Sequence, residues 1–93
     1  MKLDPEQLER LRINILRQCK AAGGDLGLAI SALQVGAKLE AFKVEDEVIA
    51  EQCLHLSDPQ LGLLRVADQR FSTAVKRYVI TALGREWLEV RGF

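Results

Sequence analysis

Leu63-Leu64-Arg65-Val66-Ala67 and Val75-Lys76-Arg77-Tyr78-Val79-Ile80-Thr81 are the segments in which the apolar period of the chain changes. Both are short and rich in branched or aromatic residues. They lie after Gly62, on either side of the polar run from Asp68 to Ala74. They read as two strands of a hairpin with a loop of about seven residues. In the second strand Tyr78 and Ile80 fall on one face, so both can enter a core. Thr81 then stands where its hydroxyl can accept from the Gly84 backbone N–H and open a short helix, Ala82 to about Val90. Trp87 and Leu88 of that helix are expected to fold back onto the first helix. A two-stranded hairpin is not stable alone. The residues before Gly62 must therefore provide the surface beneath it.

Those residues read as three helices. Asp4 is a good N-cap, Pro5 suits the first helical position, and Gln7 completes a capping box. Leu8, Leu11, Ile15, Cys19 and Ala22 follow at spacings of three and four, and Ile13 and Leu16 widen the stripe. A stripe this wide places the first helix at the centre of the domain. Gly23-Gly24 ends it. Asp25-Leu26-Gly27-Leu28 is a short connector with room for a brief extended piece. The second helix is expected from about Ala29 to Phe42, with Ile30, Leu33, Ala37 and Ala41 in one row and Val35, Leu39 and Phe42 near it. Gly36 interrupts it, which fits either a close helix–helix approach or a turn into a new helical piece. The third helix runs from Glu45 to about Ser57, with Val48, Ile49, Gln52, Cys53 and Leu56 at helical spacing. Asp58-Pro59 stops it, because a residue before proline is pushed out of the helical region.

Composition narrows the function classes. The chain has 93 residues, 48% apolar and 28% charged, which is ordinary for one globular domain spanning residues 1–93. No apolar run approaches the length of a membrane span. Met1-Lys2-Leu3-Asp4-Pro5 has no apolar signal core behind it, so secretion is not expected and a cytoplasmic location is. Cys19 and Cys53 stand apart, and His55 is the single histidine. A conventional four-ligand zinc site cannot be built from three such residues. A disulfide is possible in principle; reduced cysteines packed as small apolar residues are the preferred reading. No nucleophile elbow, phosphate loop or acid–base pairing with His55 is present, so no enzyme activity and no cofactor are expected. Net charge is zero but unevenly spread. Glu45, Asp46, Glu47, Glu51 and Asp58 make the middle acidic. Basic residues dominate both flanks.

The α-α-α-β-β-α order resembles a winged helix-turn-helix domain of small bacterial or phage transcriptional regulators. Two stretches carry the resemblance. Leu54-His55-Leu56 followed by Gly62-Leu63-Leu64-Arg65-Val66 is similar to the junction where the third helix of such regulators runs into the wing. Arg77-Tyr78-Val79-Ile80-Thr81-Ala82-Leu83-Gly84-Arg85-Glu86-Trp87-Leu88 is similar to their second wing strand and terminal helix. The resemblance covers about residues 8–90 and implies an α+β, mostly helical winged helix: three helices, a two-stranded β-hairpin wing and a short C-terminal helix. It also implies DNA binding, as a homodimer, in transcription regulation.

The residues themselves divide on that function. Arg70, Lys76 and Arg77, with Arg65 nearby, are the candidates for phosphate contacts through the wing. Phe71 at the loop tip is either a partner contact or a residue folded onto its own domain. In DNA-binding relatives the third helix enters the major groove with donors on its face. Here its candidate positions hold Glu45, Asp46, Glu47 and Glu51, and Gln52 alone is a plausible base reader. Four carboxylates facing phosphates oppose binding. The alternative is a winged-helix protein–protein interaction module with no intrinsic DNA binding, whose acidic third helix faces a basic protein partner or whose wing pairs with another copy.

Overall fold

The structure is a computed structural model that describes residues 3–24, 26–67 and 75–93. Asp4 caps α1 (Pro5–Ala22): its Oδ1 accepts from the Gln7 N–H at 2.8 Å, and the Gln7 side chain accepts from the Asp4 N–H at 3.1 Å. Leu11, Ile15, Leu16 and Cys19 form its buried stripe. α1 packs against α2, α3, α4 and the sheet, which is the central placement its wide apolar face dictates. Gly23 ends it with a positive φ of 62° and an extended ψ, its N–H donating to the Cys19 carbonyl.

α2 (Ile30–Leu39) is shorter than its apolar row suggests. Ala41 takes a φ of 68°, its N–H donates to the Lys38 carbonyl, and the Phe42 N–H donates to the Ala37 carbonyl. This turn swings Phe42 back onto the core and leaves Ala41 exposed. Val35 and Leu39, expected near the packed row, are also exposed. Gly36 marks a close approach. A Cβ there would collide with the Gln18 amide of α1, which uses the space to donate to the Leu33 carbonyl at 3.0 Å and to Asn14 Oδ1 at 2.8 Å.

α3 (Asp46–Leu56) buries Ile49, Gln52, Cys53 and Leu56. The turn after it is closed by the Leu61 and Gly62 N–H groups, which both donate to the Asp58 carbonyl. β2 (Leu64–Val66) and β3 (Arg77–Ile80) pair antiparallel, with Leu64 opposite Ile80 and Val66 opposite Tyr78. Tyr78 and Ile80 enter the core as the alternation requires. The loop between the strands, with Phe71 and Arg70, lies largely outside the described residues.

The sheet has a third strand where the sequence suggests only a connector. β1 (Leu28–Ala29) pairs with the far edge of β3, giving the order β1-β3-β2. Val79 should point away from the core, yet it too is buried. Gly27 explains this. It lies so close to β3 that a Cβ would stand 2.7 Å from the Tyr78 carbonyl oxygen and 3.0 Å from a Val79 methyl. The segment entering β1 therefore covers the second face of β3.

α4 (Ala82–Val90) is capped by Thr81, whose Oγ1 accepts from the Gly84 N–H at 3.0 Å. Leu88 is fully buried, and Trp87 is half-buried against the core. Gly84 sits where the first turn of α4 presses on the entry to β2. A Cβ there would collide with the Leu63 carbonyl and stand 2.7 Å from Ile80 Cγ1.

Two substitutions test this description by urea denaturation. Gly84→Ala should destabilise by about 1–3 kcal/mol, because the overlap outweighs the helix-propensity gain of about 1 kcal/mol. A neutral or stabilising result would mean that α4 does not dock this tightly. Ala41→Gly should stabilise by about 0.5 kcal/mol, since glycine relieves the left-handed strain at some entropic cost. Destabilisation by more than about 0.5 kcal/mol would contradict the turn geometry.

Candidate interaction surfaces

α3 shows why a helix face must be assigned before its side chains are given roles. Gln52, the expected base reader, points inward and is only 8% exposed. It shares the stripe of Ile49, Cys53 and Leu56, and a buried amide on that stripe needs a partner. Arg12 of α1 provides it: Arg12 Nε donates to Gln52 Oε1 at 2.7 Å. The outward face instead presents Asp46, Glu47 and Glu51, with exposed Leu54 and His55 towards the C-terminal end. Asp46 and Glu47 complement the positive end of the helix dipole, which accounts for their place in the first turn.

The ribbon carries the opposite charge. Lys76, Arg77 and Arg65 are all exposed. Arg65 stands opposite Val79, and Arg77 lies two residues from Val79 along β3, so the two arginines share one sheet face. Arg70 falls outside the described residues.

A third surface has no counterpart in the expectations drawn from the sequence. On α4, Leu83 (57% exposed), Trp87 and Val90 (78% exposed) follow one another at spacings of four and three. With Leu61 and Leu63 they line an open cavity of about 330 Å³. A second cavity of the same size adjoins it, sharing Leu61, Leu63, Trp87 and Arg91 and extending to Arg12 and His55. Arg91 stacks over the Trp87 ring with its guanidinium carbon 3.5 Å from the centroid. Its Nη1 donates to the Trp87 carbonyl at 3.1 Å and its Nε lies 3.5 Å from a Glu9 carboxylate oxygen. The signal was present in the sequence: a nine-residue helix with both Leu88 and the Leu83-Trp87-Val90 row has one apolar stripe more than docking onto α1 requires.

The core holds the remaining reactive groups. Cys19 and Cys53 are buried free thiols, and Cys19 Sγ lies 3.7 Å from the Tyr78 carbonyl oxygen. Both thiols are pushed up to about 12 from an ordinary value of 9.0, Cys19 by burial and Cys53 by burial first and the proximity of Cys19 second. Tyr78 is raised as well, by burial first and by Cys53 second. These groups are kept protonated and inert. Among the described residues, no group of three or more His, Cys, Asp or Glu is placed to hold a metal ion. Nor is any helix among them long and apolar enough to cross a membrane. No protein-family model, curated protein or solved structure matches the chain.

The folded chain holds the two thiol protons more tightly than the unfolded chain does. The stability linked to them is therefore complete below about pH 9 and falls as the pH rises towards 12. At neutral pH a thiol-reactive chromophore should label neither cysteine in the native protein and both after unfolding in guanidinium. Rapid labelling of either in the native state would contradict the burial.

Proposed function

We propose that this chain is a winged-helix-like module that works by contacting another protein and does not read DNA sequence. The outward face of α3 carries this reading. It offers Asp46, Glu47 and Glu51, while its single amide is turned inward onto Arg12. Recognition of bases in the major groove needs donors and acceptors aimed outward, and binding to the duplex needs phosphates neutralised rather than repelled. The winged-helix part of the reading is supported by the three helices beneath an antiparallel ribbon, by Tyr78 and Ile80 in the core, and by the Thr81 cap of α4. The exposed apolar row on α4 fits a surface that partners cover.

One observation favours a second reading, in which the module binds DNA through the ribbon alone. Arg65 and Arg77 share a sheet face, and Lys76, just before β3, is exposed as well. Such contacts would be to phosphates, weak from a single copy and strengthened by a homodimer on one face of the duplex.

Fluorescence anisotropy with a labelled random-sequence duplex separates the two. The interaction module should show no binding at about 50 mM salt with the protein at tens of micromolar. Micromolar binding would overturn it if log affinity fell by about 0.9 per phosphate contact with log salt, and if Arg77→Glu abolished it.

A further inference from the structure

We propose that the cavity between α1, the C-terminal end of α3 and α4 is a binding site for an organic carboxylate carried on an apolar body. Arg12 is the residue that defines it. Its Nε is committed to the buried Gln52 amide, and this constrains the direction in which the guanidinium points. Among the described residues, no other Arg12 donor has a hydrogen-bond or ion-pair partner, although the side chain is half-buried at the cavity wall. A guanidinium held at one nitrogen, with its solvent-reaching Nη donors free of protein partners, is a pre-oriented receptor for a carboxylate, which those two nitrogens can bind with two parallel hydrogen bonds.

The other groups of the cavity restrict the ligand further. Arg91 also lines it, but is already held by the Trp87 ring, the Trp87 carbonyl and Glu9. Glu9 lines the same cavity, so a ligand carrying more than one negative charge would meet a carboxylate beside its receptor. This favours a monoanion over a phosphate ester. Leu56, Leu61, Leu63 and Trp87 form the apolar wall. They suit an aliphatic or aromatic body attached to the acid. The volume of about 330 Å³ is at the lower end of small-molecule sites. The apolar row of α4 continues from this wall, so a longer apolar body can extend along Leu83 and Val90.

The site does not depend on the reading of α3, because its test uses neither DNA nor a protein partner. Trp87 is the only tryptophan in the chain and stands in the cavity wall, so its emission reports occupancy directly. Titration with 4-phenylbutanoate should give a saturable emission change with half-saturation on the order of 1 mM. The neutral 4-phenylbutanamide should bind at least about tenfold more weakly. Arg12→Lys keeps the charge but loses the fork, and should weaken the acid by about tenfold without changing the amide. Leu61→Glu alters an exposed wall position and should abolish the acid's effect, with the far-ultraviolet circular dichroism unchanged. A non-saturable response, equal affinity for acid and amide, or unchanged affinity in both variants would overturn the assignment. So would the absence of any emission change at about ten times the expected half-saturation.

Discussion

Thr81 is the point on which the architecture depends. Its N–H donates to the Leu63 carbonyl at 3.1 Å, its hydroxyl donates to the Gly62 carbonyl at 2.5 Å, and the same oxygen accepts from the Gly84 N–H. One residue thus joins the end of β3, the entry to β2 and the start of α4. The Leu63 N–H donates in turn to the Leu56 carbonyl, which brings in the last turn of α3. Four elements therefore converge on a few backbone groups. The absence of a side chain at Gly84 lets α4 come close enough to share them. The ribbon is fixed to the helices by this junction as much as by its own ladder, which is short on both sides of β3.

A second constraint links α1 to α3. The Arg12–Gln52 hydrogen bond spans the two helices and satisfies the one amide on the buried stripe of Ile49, Cys53 and Leu56 that orients α3. With that stripe inward, Asp46, Glu47 and Glu51 face outward. The same bond immobilises one edge of Arg12 and leaves the other at the cavity wall. Stability and surface chemistry meet in one guanidinium.

Local chemistry made much of the fold legible in the sequence. The Asp4 capping box, the Gly23 stop, the alternation of Tyr78 and Ile80, and the Thr81 cap each depend on neighbours within a few residues, and all appear in the structure. What the sequence hid depends on distant contacts. β1 is only two residues long and exists because β3 offers it a free edge. Val79 is buried by Gly27, some fifty residues away in the chain. α2 ends early through Ala41, a residue type that rarely takes the left-handed conformation and so gave no stop signal. At the candidate site, strand alternation puts Arg77 on the face opposite Tyr78 and Ile80; Lys76 has the parity of the core residues and is exposed because it lies just before β3. The role of Gln52 was not legible locally, because its partner lies forty positions upstream.

The order β1-β3-β2 has one further consequence. Both outer strands are short, with two and three residues, and the longest strand is enclosed between them. A sheet of this kind offers little unpaired backbone for a foreign strand to template on, and Arg65 puts a charge on one rim. The small size of the sheet thus acts as protection: its most β-prone segment, Arg77–Ile80, is sequestered from fibrillar growth for as long as β1 and β2 stay in place.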